Sequence, residues 1–551
     1  MSKNDRANYD YIIIGAGSAG CVLAHRLTED PDVNVLVIEA GGPDHWWDFR
    51  IHMPAALVYP LQSKTYNWQF ASEPEPALNG RVIPLFRGKV LGGSSTINGM
   101  VYIRGNPLDF DAWAKDQALA QWSYEHCLPY FRRSETYDQG EDEFRGGEGP
   151  LHVTKGLARS PLYQVFLEAA YEAGHAPIVD MNGYRQEGFG RMDMTVHNGV
   201  RESTARAYLR PAMRRRNLSV VTGALVSRIV VDKGVAKGVE FLSQNSVHKV
   251  GAEREVLLSA GAIQSPQLLM LSGIGEPGTL RSHGITPIHD LPGVGQNLQD
   301  HIEYIVAYEC LKPVSYYEFT KLHQRAKIGM EWCATKTGLG ASNFFEAGGF
   351  LRSTPDQLWP DVQLHFVGLA AEYSGRLSAP GHSFQVHLGP QKPKSRGTVT
   401  LRSSNPDDPP VIRPNYLAVE QDWIDSRNAI RASHDILQQH ALRPYRGREI
   451  KPGVELSDTR RLDDFIRSNA ESGYHYVGTC KMGSDAGAVV DGSLCVHGIQ
   501  RLRVVDASVM PTITNGNTNA PTIMIAEKAS DLIRGTSLPA AQASFYKAST
   551  K

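Results

Sequence analysis

The sequence predicts an α/β protein, α+β overall, that combines a mainly parallel sheet with a second domain built on an antiparallel sheet. Short, continuous apolar runs at 11–14 and 34–39 are typical of buried parallel strands. Between about 301 and 454, apolar and polar residues alternate, as at 361–366 and 384–388, which is typical of antiparallel strands with one buried and one solvated face. A chain of 551 residues is too long for one hydrophobic core, so at least two domains are expected.

Glycines at the end of the first strand form a phosphate-binding pattern. Gly15, Gly17 and Gly20 have G-x-G-x-x-G spacing, and apolar residues at helical spacing follow them. Such glycines permit a tight turn, close approach of a pyrophosphate and close packing of the helix on the strand. Glu39 ends the next strand, where a carboxylate binds ribose hydroxyls and repels a 2′-phosphate. This context predicts a Rossmann-like domain that binds FAD or NAD and not NADP; the alternative is an ordinary strand–helix turn without a ligand.

A second glycine-rich segment, at 87–100, combines small and hydroxyl residues with the cations Arg87 and Lys89. Such a loop is suited to lie against a flat or anionic ligand, although a plain turn has the same composition. The stretch before it has weak periodicity and is rich in aromatic residues, namely Trp46, Trp47, Phe49, Tyr59, Tyr66, Trp68 and Phe70. We expect this stretch to wrap a ligand or to cover a neighbouring domain.

Later segments return to the pattern of the first domain, which is therefore expected to be discontinuous. Buried strands are predicted at 255–261 and 502–506, and a helix at 523–533. The predicted division gives a cofactor-binding domain at 8–156, 200–305 and 462–536, a substrate-binding domain at 157–199 and 306–461, and a flexible tail at 537–551.

Charge and cysteine content exclude several classes of protein. Lys and Arg number 57 against 58 Asp and Glu, a net charge of −1 without long blocks of one sign, which argues against a nucleic-acid partner. The six cysteines are scattered without metal-ligand spacing, so neither a metal site nor a disulfide framework is expected. No apolar run approaches the ~18 residues of a membrane-spanning helix. We therefore expect a cytoplasmic protein, with peripheral association with the inner face of the cell membrane left open.

Two polar residues in glycine-rich loops are candidates for proton transfer. His475 lies in the segment 474–483, and Asn517 lies in 515–522; both segments flank the predicted return of the parallel sheet. Loops at sheet ends are where ligands bind. A histidine near its unperturbed pKa of ~6.5 accepts a hydroxyl proton at neutral pH, and an asparagine hydrogen-bonds the same oxygen without titrating. A structural histidine is the alternative.

Taken together, these segments resemble the glucose-methanol-choline (GMC) flavoprotein oxidoreductases over essentially the whole chain. The glycines at 15–20 match the FAD fingerprint of that family, and 87–98 matches its first signature. The segment 261–275 resembles the second signature, and 292–301 resembles the loop beside the flavin. The resemblance implies FAD as cofactor and an alcohol as substrate. It also implies hydride transfer to flavin N5 while His475 accepts the hydroxyl proton with Asn517 as its partner.

The resemblance also implies how the cofactor is held. Members that attach the flavin covalently use a histidine in the first signature, where this chain has Ile97, so non-covalent FAD is expected. The motifs and the resemblance together assign to cofactor binding the residues Gly15, Gly17, Ser18, Ala19, Gly20, Glu39, Ala40, Arg87, Gly88, Leu91, Gly92, Gly93, Ser94, Asn98, Gly99, Met100, Val101, Val226, Asp506, Ala507, Asn517, Asn519 and Ala520.

Within the family, segments such as 53–57 and 445–450 resemble the choline-oxidising dehydrogenases of bacteria. This implies oxidation of choline to betaine aldehyde, with further oxidation to glycine betaine left open. A quaternary ammonium group donates no hydrogen bond, so its site needs aromatic faces and a carboxylate. The candidates for that site are Trp68, Trp332, Glu346 and Tyr474, with core packing as the alternative for each aromatic ring. Tyr476, however, follows the histidine where the resemblance predicts proline.

Other functions compatible with the sequence are an oxidase or dehydrogenase for neutral alcohols, a lyase that keeps FAD as a scaffold, and a nicotinamide-dependent dehydrogenase. The segment 517–522 looks more like the general alcohol dehydrogenases of the family. The second glycine cluster disfavours the nicotinamide enzyme. The electron acceptor is left open between oxygen and a quinone or other acceptor, and the sequence gives no oligomeric state.

Overall fold

The computed structural model of the chain describes residues 8–548. Its first seven-stranded sheet contains the two strands predicted at the N-terminus, Asn8–Ile14 and Val35–Glu39, paired in parallel. The other strands of this sheet are Leu218–Thr222, Leu225–Asp232, Val235–Ser243, Ser246–Leu258 and Leu502–Val504. Asn8–Ile14 pairs in parallel on both sides and is largely buried, so the glycine turn after it emerges within the sheet and not at its edge.

Two helices pack together beside the glycine turn. Ser18–Leu27 follows the turn directly, and Asn519–Arg534 near the C-terminus lies against it. The predicted helix at 523–533 is thus confirmed and begins four residues earlier. The remaining α-helices are Phe49–His52, Val58–Leu61, Pro107–Trp113, Tyr124–Ser134, Pro161–Glu172, Arg210–Ala212, Gly261–Leu271, Pro277–Ser282, Leu322–Thr335, Glu420–Gln438 and Thr459–Asn469. Within residues 8–548, none of the helices is both long and apolar enough to cross a membrane.

The second seven-stranded sheet is antiparallel, as the alternating pattern predicted. In spatial order its strands are Arg446–Lys451, Ile302–Cys310, Ser383–Pro390, Val362–Val367, Ala347–Leu351 and Gly188–Arg191, with Glu471–Ser472 paired to the start of Ile302–Cys310. The prediction that one face of this sheet is solvated is wrong, because every residue of Val362–Val367 and Ser383–Pro390 is buried. Two polar residues of Val362–Val367, Gln363 and His365, line a cavity inside the protein.

Short sheets complete the fold. They pair Phe70–Ala71 with Pro84–Leu85, Leu151–Lys155 with both Glu135–Tyr137 and Asp193–Met194, Val196–His197 with Val200–Arg201, Ile274–Gly275 with His289–Asp290, and Thr398–Thr400 with Val411–Arg413. One large hydrophobic cluster surrounds each seven-stranded sheet. The predicted domain boundary at 305 falls inside the strand Ile302–Cys310, and the boundary at 461 falls inside the helix Thr459–Asn469. The division into domains otherwise stays a prediction.

The segment after the last helix has neither helix nor strand over 535–548. The sequence predicted a flexible tail from 537, but Leu538 N–H donates to the Tyr130 hydroxyl at 2.9 Å and Phe545 packs edge-on against Tyr124. The described part of the tail is therefore packed on the helix Tyr124–Ser134, while 549–551 lie outside the described residues.

Candidate active site

A large cavity lies between the two seven-stranded sheets. At one end it is lined by the glycine turn and by Ile38 and Glu39 of the parallel sheet. At the other end it is lined by Glu303, Gln363 and His365 of the antiparallel sheet, by aromatic rings outside its strands and by His475. The cavity thus joins the predicted cofactor site to the predicted catalytic residues.

The glycine turn has the geometry that a phosphate site needs. Gly15 has φ +96°, and a Cβ atom there would lie 2.6 Å from the Ser259 carbonyl oxygen. Gly17, in contrast, has open space where a Cβ would stand, so a ligand can approach its backbone. The helices Ser18–Leu27 and Asn519–Arg534 both begin at the cavity, which favours a bound anion there.

Glu39 lies beside this turn, as predicted. One carboxylate oxygen accepts a hydrogen bond from Ala16 N–H at 2.9 Å, and the other accepts from Gly41 N–H at 2.7 Å. Each oxygen keeps a second lone pair for a ribose hydroxyl. Burial raises the pKa of Glu39, although both backbone hydrogen bonds favour its ionised form.

The second glycine-rich loop lies directly on the first. Gly92 N–H donates to the Ala16 carbonyl oxygen at 2.7 Å, and a Cβ on Gly93 would lie 2.8 Å from the Gly17 Cα. The loop continues past Asn98, whose Oδ1 accepts from Met100 N–H at 3.1 Å. The two predicted glycine clusters therefore form one wall of the cavity.

Most of the predicted cofactor residues line this cavity. They are Gly15, Gly17, Ser18, Ala19, Glu39, Ala40, Arg87, Gly88, Gly93, Ser94, Asn98, Gly99, Met100, Val101, Val226, Asp506, Ala507, Asn517 and Asn519. The structure does not bring four others to the surface of the cavity, because Gly20, Leu91, Gly92 and Ala520 lie behind residues that line it. The buried hydroxyl of Ser259, also in the lining, has no hydrogen-bond partner within 8–548. Open space at Gly17, two helix N-termini and this unpaired hydroxyl fit a dinucleotide such as FAD.

Asp506 lines the cavity, but its carboxylate already accepts hydrogen bonds from other residues of the protein. It accepts hydrogen bonds from Gly261 N–H at 2.8 Å, Ser265 Oγ at 2.6 Å and Ser508 N–H at 2.8 Å. These bonds hold the start of the helix Gly261–Leu271 against the loop after the last strand of the parallel sheet. The contact between Asp506 and the cofactor stays a prediction. Because the carboxylate is engaged in these hydrogen bonds, the backbone of Asp506 is the part that can contact the cofactor.

His475 and Asn517 meet at the other end of the cavity. Asn517 Nδ2 donates to His475 Nε2 at 3.1 Å, and Gln363 Nε2 donates to Asn517 Oδ1 at 3.3 Å. His301 Nε2 lies 3.2 Å from the Gln391 carbonyl oxygen, which only accepts, so this nitrogen carries hydrogen. His301 Nδ1 therefore accepts from His475 Nδ1, at 3.0 Å, when both rings are neutral. This series of hydrogen bonds leaves a lone pair on His475 Nε2, which is directed at Asn517 and the cavity.

Burial keeps both rings neutral. It lowers the pKa of His301 to about 3, with the charge of Lys392 adding to the effect. It also lowers the pKa of His475 well below the usual value, and the neighbouring His301 and Arg87 act in the same direction. His475 is thus a neutral base at physiological pH.

Charged and hydroxyl groups hold the backbone of His475 in place. Asp300 accepts hydrogen bonds from His475 N–H at 2.7 Å, from Ser472 Oγ at 2.6 Å and from the Tyr416 hydroxyl. Burial raises the pKa of Asp300 to about 6, against these hydrogen bonds. Tyr476, the residue that departs from the expected proline, hydrogen-bonds Ser472 Oγ through its hydroxyl at 2.6 Å. Its side chain is therefore part of the hydrogen-bond network that holds the backbone of His475.

Two of the four predicted substrate residues do not reach the cavity. Trp68 and Tyr474 line it, but Trp332 and Glu346 do not. Trp332 packs against Met53 and donates through Nε1 to the Gly199 carbonyl oxygen at 2.7 Å, so it is a core residue. The two oxygens of Glu346 accept from Ala158 N–H and Ser342 Oγ, both at 2.7 Å. The structure therefore does not bring Trp332 and Glu346 to the cavity.

A different carboxylate, Glu303, lines the cavity. Its Oε1 accepts from the Tyr373 hydroxyl and from His387 Nδ1, both at 2.7 Å. Burial alone would raise the pKa of Glu303, but His387 and these hydrogen bonds outweigh it and lower the pKa. Sequence reasoning missed this residue. Its signal was its position two residues after His301, which ends the segment that resembles the loop beside the flavin.

Polar residues of the antiparallel sheet were also missed as individual site residues. Gln363 and His365 line the cavity from one strand, and Phe345 lies edge-on to His365 with ring centroids 5.8 Å apart. Their signal was the alternating pattern at 361–366, whose polar face is a wall of the cavity.

Comparison with known proteins places this geometry in a family. Two family models, both described as GMC oxidoreductase, match residues 9–303 and 393–526. Relatives named oxygen-dependent choline dehydrogenase, from Klebsiella pneumoniae and Pseudomonas fluorescens, are each 53% identical over 545 residues. Those matches cover 98% of this chain and 98% and 96% of the relatives.

Solved structures show the same fold over nearly the whole chain. Pyridoxine 4-oxidase from Mesorbium loti is 32% identical with a TM-score of 0.84, over 95% of this chain and 98% of that chain. A formate oxidase from Aspergillus oryzae is 27% identical with a TM-score of 0.90, over 97% and 99%. The chain therefore belongs to the GMC oxidoreductase family, whose cofactor is FAD.

Proposed function

We propose that this GMC oxidoreductase uses FAD to oxidise choline to betaine aldehyde. The observation that carries the proposal is the position of Glu303, an ionised carboxylate beside aromatic rings, in the same cavity as His475 and Asn517. The relatives named choline dehydrogenase support the choice of substrate. Within residues 8–548, no group of three or more His, Cys, Asp or Glu side chains is placed to hold a metal ion.

The cation site is built from Glu303 and two tyrosines. The Tyr373 and Tyr474 rings, both in the cavity lining, stand at 82° with centroids 5.4 Å apart. Each cation–π contact contributes ~0.5–2 kcal/mol, and the carboxylate supplies the opposite charge. Glu303 lies in the strand Ile302–Cys310, two residues after His301, whose ring contacts His475. The carboxylate therefore lines the same cavity as the base, His475.

The proton-transfer pair is His475 and Asn517. A substrate hydroxyl between them donates its hydrogen to His475 Nε2 and accepts a hydrogen bond from Asn517 Nδ2. Removal of that proton raises the electron density on the alcohol carbon and eases loss of its hydride. FAD, when bound, supplies the hydride acceptor at flavin N5. The hydrogen bond from His475 Nδ1 to His301 places the ring hydrogen on Nδ1, so Nε2 is unprotonated before the reaction. Non-covalent attachment of FAD stays a prediction, supported by the apolar Ile97 in the cavity lining.

The pH dependence of flavin reduction follows from the lowered pKa of His475. The active form is the neutral ring, which is present above the pKa and lost as the pH falls through it. We expect a rate of choline-dependent reduction that is constant from about pH 8 down to pH 6.5. A stopped-flow series between pH 5 and 9 measures it. A fall that begins above pH 6.5 would contradict a base whose pKa is lowered by burial.

Product analysis tests the reaction itself. Purified holoenzyme with choline and an artificial electron acceptor is expected to form betaine aldehyde, detected by mass spectrometry, in an amount equal to the acceptor reduced. An unchanged flavin spectrum together with cleavage of the substrate would indicate the lyase. Turnover of neutral alcohols without turnover of choline would indicate a general alcohol dehydrogenase.

The electron acceptor of the enzyme is proposed to be oxygen, with a quinone as the alternative. Support comes from the relatives, whose names include "oxygen-dependent". A cytoplasmic location is likewise a proposal. Oxygen consumption equal to betaine aldehyde formation would support oxygen, and reduction of a quinone analogue at a greater rate would favour the alternative.

We also propose peripheral binding to an anionic membrane surface through the helix Leu322–Thr335. Its side chains are exposed along almost its whole length, and Leu322 and Met330 are 84% and 67% exposed. Arg325 and Lys327 are exposed on the same helix. Exposed apolar residues among basic ones are typical of helices that lie at a lipid interface.

Vesicle binding tests this attachment. The protein is expected to sediment with phosphatidylglycerol vesicles and less with phosphatidylcholine alone. Changing both Leu322 and Met330 to glutamate is expected to abolish sedimentation, whereas the control Val247→Glu, at a site 61% exposed on the parallel-sheet domain, is expected to leave it unchanged. Equal binding by all variants would contradict the proposal.

A further inference from the structure

Arg201 is a buried cation that the proposed reaction does not use. It is 1% exposed and ends the short strand Val200–Arg201 behind the second glycine-rich loop. Its Nη1 donates to the Asn98 carbonyl oxygen at 2.6 Å, to Asn98 Oδ1 at 2.8 Å and to the Ser95 carbonyl oxygen at 3.4 Å. All three acceptors belong to the loop that lines the cofactor cavity.

The charge of Arg201 is not neutralised by the protein. Its Nε and Nη2 have no hydrogen-bond partner, and no carboxylate of residues 8–548 forms an ion pair with it. Burial lowers the pKa of Arg201 to about 9, so the guanidinium is still protonated at pH 7. A buried charge without a counter-charge is unfavourable unless another group compensates it. An electron-rich ligand on the other side of the loop is such a group.

Arg201 also determines which end of the Asn98 carboxamide is available to a ligand. Asn98 Oδ1 accepts from both Met100 N–H and Arg201 Nη1, and is therefore turned toward the protein. The hydrogen bonds of the Asn98 side chain within 8–548 all involve Oδ1 and none involves Nδ2, and Asn98 lines the cavity. Because a carboxamide has one acceptor end and one donor end, fixing Oδ1 leaves the donor for the cofactor.

We propose that Arg201 is a positioning residue for FAD, which holds the Asn98 carboxamide so that its N–H group faces the cofactor and places a positive charge behind the loop. Both effects stabilise the reduced flavin more than the oxidised flavin. The inference rests on FAD as the cofactor and is independent of choline as the substrate.

The test uses the purified holoenzyme without any alcohol. The midpoint potential of the flavin is measured by dye-equilibrated reduction, and the dissociation constant of FAD is measured by reconstitution of the apoprotein. Arg201→Met is expected to shift the potential to a more negative value and to weaken FAD binding at least about tenfold. Arg201→Lys keeps the charge, and we expect its flavin midpoint potential to lie close to that of the wild-type enzyme. The control Arg206→Gln, at a neighbouring arginine paired with Glu202 at 2.7 Å, is expected to change neither.

A double-mutant cycle with Asn98→Ala tests whether Arg201 acts through Asn98. The loss of FAD affinity from Arg201→Met is expected to be much smaller in the Asn98→Ala background, because the two residues share one interaction. Equal losses in both backgrounds, or an unchanged potential in Arg201→Met, would overturn the proposal. If Arg201→Met does not fold, the variants Arg201→Lys and Asn98→Ala still decide. The proposal fails if Asn98→Ala leaves the dissociation constant of FAD unchanged. It also fails if Arg201→Lys lowers the midpoint potential of the flavin as far as Asn98→Ala does.

Discussion

Replacing His475 by alanine is expected to slow reduction of the flavin by choline at least about a hundredfold while FAD stays bound. The hydroxyl proton then has no acceptor, since Asn517 beside it donates and does not titrate. Binding of FAD is expected to survive because the glycine turn and Glu39 lie at the opposite end of the cavity. Stopped-flow mixing of anaerobic enzyme with choline measures the rate, and the flavin absorbance per protein measures cofactor content.

A control variant separates loss of the base from general damage. His440→Ala changes an exposed histidine away from the cavity and is expected to leave the rate unchanged. A variant His475→Ala that is reduced at the normal rate would remove this residue from the mechanism. A variant that has lost its FAD would instead assign His475 a structural role.

Replacing Glu303 by glutamine is expected to lower kcat/KM for choline strongly and to leave the neutral analogue 3,3-dimethylbutanol almost unaffected. Removing one partner of a buried charge pair costs about 2–5 kcal/mol, which is at least roughly thirtyfold in kcat/KM. The analogue has the shape of choline without its charge, so it gains nothing from the carboxylate. The informative quantity is the ratio of the two kcat/KM values, because a general loss of folded enzyme leaves that ratio unchanged.

The matched control is Glu346→Gln. Glu346 is also a buried carboxylate, but its oxygens are held by Ala158 N–H and Ser342 Oγ outside the cavity. Its change is expected to leave the ratio of choline to 3,3-dimethylbutanol unchanged. If Glu346→Gln alters the ratio and Glu303→Gln does not, the cation site has been assigned to the wrong carboxylate.

Local patterns predicted the cofactor end of the site well. The G-x-G-x-x-G turn, its flanking strand and helix, and Glu39 lie within forty residues of one another, and their geometry follows from local backbone constraints. His475 and Asn517 were predicted from glycine-rich loops and from the family resemblance. Their direct contact at 3.1 Å depends on packing between segments distant in sequence, which no local pattern gives.

The substrate end was predicted less well, for physical reasons. Phe345 and Glu346 are adjacent, and neighbouring residues of an extended chain point in opposite directions, so Phe345 lines the cavity and Glu346 does not. Glu303 obtains its surroundings from His387 on the paired strand and from Tyr373 in a loop. Such contacts depend on strand register, which the sequence of a single strand does not specify.

Anaerobic mixing of the wild-type enzyme with choline and, in parallel, with 3,3-dimethylbutanol tests the central claim most directly. The account predicts rapid loss of the oxidised flavin absorbance with choline, and a rate at least about tenfold lower with the neutral analogue at equal concentration. Equal or faster reduction by the neutral analogue would contradict a site built for a cation around Glu303, and would indicate a general alcohol dehydrogenase.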